Sequence, residues 1–265
     1  MIKISVYIIA FNEALKISDC INSVLWADEI IVADSNSTDG TTEIATALGA
    51  KVIHIPFIGY GDLRNKAIKE CSNEWIFSLD SDERCTVEVR DEIIKLMNGP
   101  SLDIYRVPRK NFFMGKWIKH SGWYPNFRQP QLFRNGKMIY TMDAVHEGFI
   151  SKSDNRIGSI KSHIWQFPFK NTEEIMYKAN RYSTLGVQKL KEKGRSSSVS
   201  KAFFHGLWSF VKHYIFKLGF LDGGAGFVIA FGNFEGTFYR YIKLLEAQKN
   251  WCIPKNKPIN KNTKW

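Results

Sequence analysis

The chain of 265 residues is 44% hydrophobic, ordinary for a globular protein, and its length suits one large domain or one domain with an appended subdomain. Its charge is lopsided: residues 1–100 hold 9 Lys and Arg against 16 Asp and Glu, and the remaining residues hold 28 against 10. No stretch of about 18 apolar residues lacks charge, which argues against a conventional transmembrane helix, and the four cysteines have no C-x-x-C spacing, which argues against a zinc knuckle or a redox dithiol.

The apolar N-terminus, MIKISVYIIAFNE, reaches Asn12 and Glu13 without a small-residue cleavage site, so it reads as a first strand over 3–11 and not as a signal peptide. With no export signal, the cysteines are expected as reduced thiols. Apolar residues at helical spacing follow over 13–25, then a strand at 29–35, a short helix at 41–49 closed by Gly49, and a strand at 51–57. A helix is predicted at 61–71, a strand at 75–79 and a helix at 86–97. Strands alternating with helices imply a mostly parallel sheet with helices on both faces, an α/β fold in which ligands bind beyond the carboxyl ends of the strands. Residues 101–165 are less regular and rich in aromatics; IYRVPRKNFF and QLFRNGKMIY read as strands, the second with a turn at Asn135-Gly136. From Asn171 onward the pattern is helical, over 171–193, 199–219 and about 224–249, before a basic, Pro-containing tail. The expected division is an α/β domain over 1–165, a helical region over 166–250 and a basic tail over 251–265.

Three polar clusters each directly follow an apolar strand: Asn12-Glu13, the run Asp34 to Gly40, and Asp80-Ser81-Asp82. If the sheet is parallel, they converge on one crevice. The D-x-D of Asp80 and Asp82 can hold a hard divalent cation such as Mg²⁺ or Mn²⁺, which bridges phosphates and neutralises charge on a leaving diphosphate. By itself D-x-D is a weak signal and reads first as a turn or helix N-cap before 86–97, and the Asp34 to Gly40 run can also be an Asx turn and helix cap. Neither a G-x-G-x-x-G nor a P-loop pattern occurs in the N-terminal part.

Asn12-Glu13, D-x-x-S-x-D-G-T at 34–41, Arg64-Asn65 in DLRNKAI, and Asp80-Ser81-Asp82-Glu83 resemble the inverting family 2 glycosyltransferases of the GT-A fold. HSGWYPNFRQPQLFRNGK, AVHEGF, KANRYSTLG and LGFLDGGAGF resemble the bacterial lipopolysaccharide-core β-glucosyltransferase subfamily. The resemblance implies transfer of a hexose, with glucose foremost, from a UDP-sugar to a lipopolysaccharide inner-core saccharide, with inversion, at the cytoplasmic face of the bacterial inner membrane. It implies that Ala10, Phe11, Asn12 and Glu13 line uracil and ribose, that Asp34 accepts from the uracil ring, and that Asp62, Arg64 and Asn65 border the base and diphosphate. Asp80 and Ser81 would face the ribose or sugar, Asp82 would be a direct ligand of Mn²⁺ or Mg²⁺, and His163 would be a further metal ligand. An inverting transfer also needs a general base for the acceptor hydroxyl. The motif match points to Glu147, with Asp143 as runner-up. Glu83 receives no role.

Trp117, Trp123, Tyr124, Arg128 and Arg134 suit a sugar and phosphate acceptor site, although aromatics of this kind also build cores. The stretch 203–234 is strongly apolar with interspersed Lys, and fits peripheral contact with an anionic membrane, a buried helical hairpin or a homo-oligomer contact. The alternatives are the same chemistry on a polyprenyl-phosphate or capsule acceptor and, in a different class, a non-catalytic basic module. Nucleic acid is not an expected partner, because no helix-turn-helix or RNP-like motif stands out.

Overall fold

The computed structural model describes residues 2–99, 101–125, 129–142, 148–154, 156–169 and 171–249. They fall into two compact units, residues 2–119 with 123–168, and residues 120–122 with the chain from Phe169.

The first unit opens with the alternation expected from the sequence: β1 (Ile4–Ala10), α1 (Ala14–Asn22), β2 (Glu29–Asp34), α2 (Thr41–Ala47), β3 (Lys51–His54), α3 (Tyr60–Glu70) and β4 (Trp75–Asp80). Next come β5 (Glu83–Arg84), α4 (Val87–Asn98), β6 (Ile104–Arg106), β7 (Arg109–Phe113) and β8 (Lys116–Trp117). The remaining strands are β9 (Pro130–Arg134), β10 (Met138–Tyr140), β11 (Phe149–Ser151), β12 (Gly158–Ser159) and β13 (Ile164–Gln166).

Seven strands form the main sheet in the order β12-β6-β9-β4-β1-β2-β3, with β4, β1, β2 and β3 mutually parallel and β9 antiparallel between β4 and β6. Every residue of β1 is buried, as a central parallel strand requires, and its β-branched side chains fill both faces. Ile4, Val6 and Ile8 point to one core with Ile17, Cys20, Ala45, Val89 and Ile93 from α1, α2 and α4. Tyr7 and Ile9 point to the other, with Leu63, Ala67 and Ile68 of α3. Helices therefore cover both faces.

The turn at Asn135-Gly136 does not make a hairpin. β9 is drawn into the main sheet, and β10 pairs instead with β11. A second sheet, β5-β13-β7-β8, stands beside the end of β4, since β5 begins three residues after Asp80.

In the second unit, α7 (Gly224–Lys249) packs against both α5 (Thr172–Glu192) and α6 (Val199–Val211). The Lys243 ammonium of α7 ties the helices together by donating to the Asn180 carbonyl at 2.9 Å and the Ser183 hydroxyl at 2.8 Å on α5. The helix expected over 199–219 continues from α6 through a π-turn at Lys212–Phe216 and stops there, and a separate 3₁₀ turn follows at Gly219–Asp222. Buried Asp222 accepts from the Ser121 hydroxyl at 2.7 Å and from the His120 backbone N–H at 3.1 Å. The HSG and LDG segments are thus partners in one packing device. No helix among the described residues is long and apolar enough to cross a membrane. Replacing Asp222 with Ala orphans the donors of residues 120 and 121 and should cost about 2 kcal/mol, read as a lowered denaturation midpoint.

Candidate active site

The carboxyl ends of three adjacent parallel strands lie in register: Ala10 pairs with Asp34 across β1 and β2, and Ile9 pairs with Asp80 across β1 and β4. The segments that follow are stitched together. Asp34, fully buried, accepts from the Ser37 N–H at 2.9 Å and from the Ser37 hydroxyl, with His54 Nδ1 3.4 Å away. The Ser37 hydroxyl oxygen in turn accepts from the Asn12 N–H at 2.8 Å, and Asn12 Oδ1 accepts from the Thr38 N–H at 2.9 Å. The Glu13 N–H donates to Thr41 Oγ1 at 2.9 Å and the Ala14 N–H to Asp39 at 3.0 Å. The Asp34 to Gly40 run is thereby bound to the Asn12-Glu13 turn, and Phe11 is left largely exposed beside it.

Asp80 is met by a cation from α3. Arg64 donates to Asp80 Oδ1 at 2.6 Å and to Ser78 Oγ at 3.1 Å, and its guanidinium lies 5.4 Å from the Tyr140 ring centroid. Asn65, the next residue, bonds the backbone of Tyr140 twice: Nδ2 donates to the carbonyl and Oδ1 accepts from the N–H, each at 2.9 Å. Asp62 pairs with Lys66 one turn on, at 2.8 Å. The first turn of α3 lies close against Thr141, because a Cβ at Gly61 would come within 1.9 Å of the Thr141 carbonyl oxygen.

Asp82 and Glu83 separate in role. Glu83 is fully buried and turns back under the strand end, where its carboxylate accepts from the Asp80 N–H at 3.0 Å, from Gln131 Nε2 at 2.8 Å and from Arg109 Nε. Burial pushes the Glu83 carboxyl up, and the Arg109 guanidinium opposes that push. Among the described residues no guanidinium is paired with Asp82. Its nearest donor among them is Gln166 Nε2, at 3.3 and 3.4 Å, and Lys16 of α1 supplies a favourable charge. Part of its side chain reaches solvent, yet the protein packed around the carboxylate and the adjacent Asp80 and Glu83 charges push it up to about 7. A carboxylate in that state suits a hard cation, and a cation bound through one or two carboxylates plus phosphate oxygens is the ordinary mode for Mg²⁺. Among the described residues no group of three or more His, Cys, Asp or Glu forms a complete metal cage.

A crevice of this kind, at the carboxyl ends of a mostly parallel sheet and floored by an acidic turn, matches a known family. The sequence profile of glycosyl transferase family 2 matches residues 5–156, more than half of the chain. This chain is a family 2 glycosyltransferase. It is 30% identical over 275 aligned residues to an uncharacterized glycosyltransferase of Rickettsia felis, covering 100% of this chain and 96% of that protein. It is 28% identical over 265 residues to the lipopolysaccharide core biosynthesis glycosyltransferase LpsC of Rhizobium meliloti, covering 93% of this chain and 95% of that one. Among solved structures, glucosyl-3-phosphoglycerate synthase from Mycobacterium tuberculosis in complex with Mn²⁺, UDP and glucosyl-3-phosphoglycerate is 30% identical over 43% of this chain and 44% of that one, with a TM-score of 0.35. The main sheet has the GT-A arrangement, and the protein is an enzyme of the glycosyltransferase class.

In this glycosyltransferase the structure gathers Ala10, Phe11, Asn12, Glu13, Asp34, Arg64, Asp80, Ser81 and Asp82 at one end of the sheet. His163 is not brought to Asp82. The β5–β13 register sets Gln166 opposite Glu83, and the His163 carbonyl receives the Thr86 hydroxyl at 3.3 Å. Along a strand that puts position 163 about 13 Å from Asp82. The His163 ring stacks on Tyr124 and shares a 3.1 Å hydrogen bond with its hydroxyl. Arg134 is not in an acceptor site either. It pairs with Trp75 at the opposite end of β4 from Asp80, bonds Glu74 at 2.9 Å and covers the Trp75 ring. Trp117 is flanked by the Lys110 and Lys119 ammonium groups at 4.6 and 4.8 Å. Trp123 packs on Phe113.

Asp143, Glu147 and Arg128 lie outside the described residues. The flanks of the 143–147 segment are fixed: the Thr141 N–H donates to the Gly148 carbonyl at 3.0 Å, and the Gly148 N–H donates to the Thr141 hydroxyl at 2.7 Å.

Sequence reasoning missed Glu83, Arg109, Gln131 and Lys16. An acid three residues beyond Asp80 carries no mark of inward direction, and Lys16 reads as the polar side of an amphipathic helix although it is buried. Replacing Glu83 with Gln strands a buried guanidinium and should cost about 3–5 kcal/mol, and pairing it with Arg109→Met should recover much of that loss in denaturant unfolding. Asp82 gives a signed pH effect. Its carboxyl is pushed up to about 7 in the folded protein, above the ordinary 3.8, so its favourable contribution is full below the lower value and is lost as pH rises through the upper one. In chelator-treated protein, Asp82→Asn should therefore raise the melting temperature at about pH 8 and converge with the parent at about pH 4.

Proposed function

We propose that this glycosyltransferase moves a hexose, with glucose the first candidate, from a UDP-sugar to a lipopolysaccharide inner-core saccharide, by a single displacement with inversion at the anomeric carbon. The observation that carries the reading is the register of Asp34 and Asp80 on adjacent strand ends with Asp82 immediately beyond. The likeness to LpsC over nearly the whole of both chains supports the acceptor class. Action at the cytoplasmic face of the inner membrane belongs to the same proposal, since that is where such acceptors are assembled.

Ala10 to Glu13 and Asp34 line the uridine. Arg64, held on Asp80, keeps the carboxylate aimed at the ribose or sugar, and Asp62 and Asn65 border the base and diphosphate, with Asn65 tied to the Tyr140 backbone. Asp82 would hold a divalent cation, which when bound neutralises charge on the departing diphosphate. Positive charge is scarce around Asp82, where Lys16 is set against the Asp80 and Glu83 carboxylates. Glu147 takes the proton from the acceptor hydroxyl as that oxygen attacks from the face opposite the diphosphate, with Asp143 as the alternative base.

The test is a donor panel. Incubation with Mn²⁺ and UDP-, GDP- and ADP-sugars, read by thermal shift and slow hydrolysis, should give a response to a UDP-sugar alone. No response to any UDP-sugar overturns the reading. Glu147→Gln should abolish transfer with nucleotide binding intact, and turnover that survives it moves the base to Asp143.

A further inference from the structure

We propose that the helical unit binds the anionic headgroup of a membrane phospholipid in a cationic cavity, with the lipid's apolar part lying on an adjoining aromatic groove. The inference rests on the membrane-side setting proposed above, but its test reads binding and not turnover.

The cavity is built by the joint between α5 and α6. At the end of α5 the Gly194 N–H donates to the Lys191 carbonyl at 2.9 Å and the Arg195 N–H to the Leu190 carbonyl at 3.0 Å. These two bonds close a Schellman motif, and Gly194 supplies the left-handed conformation it needs, with φ of 60°. Gln248 of α7 braces the joint: its Nε2 donates to the Arg195 carbonyl at 2.7 Å, and its Oε1 accepts from the Ser197 N–H at 3.1 Å. α6 then starts under a Ser198 cap that accepts from the Lys201 N–H at 3.1 Å, and no acidic residue stands in its first turn. The Lys201 ammonium donates to the Ser196 hydroxyl at 3.0 Å, and both residues line the cavity.

The result is a cavity of about 480 Å³ walled by Lys193, Arg195, Ser196, Lys201, His205 and Tyr241, with no carboxylate in its lining. His205 and Tyr241 stack face to face at 4.2 Å and form a flat wall. The partial positive charge of the α6 N-terminus adds to the three cations. Such a concentration of donors fits a phosphate.

Lys201 and His205 also border a second groove, of about 420 Å³, completed by Ser200, Phe204 and Trp208. Phe204 is 65% exposed and Trp208 58% exposed. Single exposed aromatics are unremarkable, but contiguous ones beside a cationic cavity form a patch that water solvates poorly. The two features share two residues, so the ligand that satisfies both is anionic at one end and apolar at the other. A free phosphate would leave the aromatic groove wet, and a second copy would bring another strongly basic surface to the cavity. A bilayer containing anionic phospholipid presents both chemistries at once, and tryptophan is enriched at that interface.

The experiment is co-sedimentation of the full chain with vesicles of phosphatidylcholine alone and of phosphatidylcholine mixed with phosphatidylglycerol, at one ionic strength. Binding is expected to the mixed vesicles and not to the neutral ones. Each basic residue near the surface contributes about five-fold, so Lys193→Ala, Arg195→Ala and Lys201→Ala together should weaken it roughly a hundred-fold. Phe204→Ser with Trp208→Ser should weaken it by at least about ten-fold. Equal binding to neutral vesicles overturns the proposal, as does unchanged binding by either set of variants. Self-association abolished by the Phe204 and Trp208 changes, without vesicle binding, assigns the groove to a second copy and also overturns it. Vesicle binding that behaves as expected in a protein that binds no UDP-sugar leaves this inference standing while the donor reading falls.

Discussion

The acidic turn after β4 depends on a buried ion pair. Asp80, Asp82 and Glu83 follow one another within four residues, and three unneutralised carboxylates at a strand end would repel. Glu83 resolves one third of the problem by turning inward. It holds the Asp80 N–H and Gln131 in place and meets Arg109 at full burial. That contact pins the second sheet to the end of the first, since Arg109 begins β7 and Gln131 lies on β9. The turn is therefore held in a fixed shape by a side chain that faces away from the crevice.

The three carboxylates then divide by the cations available to them. Glu83 has Arg109, Asp80 has Arg64, and Asp82 has an amide and the more distant help of Lys16. The unmet demand falls on Asp82, whose carboxyl is pushed up to about 7 first by burial and then by the Asp80 and Glu83 charges. A site arranged this way responds to a diffusible cation and an anionic diphosphate together, since neither charge is balanced by the fold alone. The opposite charge balance governs the second unit, where cations around the α5–α6 joint face a cavity with no carboxylate in its lining.

Much of the sheet was legible beforehand because its strands are short apolar runs between helices of regular spacing. β1, β2, β3 and β4 and the helices between them fall within a few residues of the expected ranges. The clusters at Asn12, Asp34 and Asp80 were legible for the same reason: in a parallel sheet, chain direction dictates which ends meet. The middle was not legible to the same degree. QLFRNGKMIY carries a good turn signal, but the open edge of β4 captures β9 and leaves β10 to pair with β11. His163 and Arg134 went astray because a strand position says nothing of which strand will lie opposite, and a shift of a few residues moves a side chain by about 3.3 Å each.

Local patterning by itself determined the α/β class, the strand ends that form the crevice and the acidic turn that floors it, because periodicity and chain direction are properties of short segments. The tertiary structure alone decided which acid is buried, which is paired and which is left wanting a cation. Those outcomes depend on Arg64, Arg109, Gln131 and Gln166, side chains that reach the turn from 16, 26, 48 and 84 residues away along the chain. Burial and charge compensation are set by neighbours in space, and no local pattern encodes them.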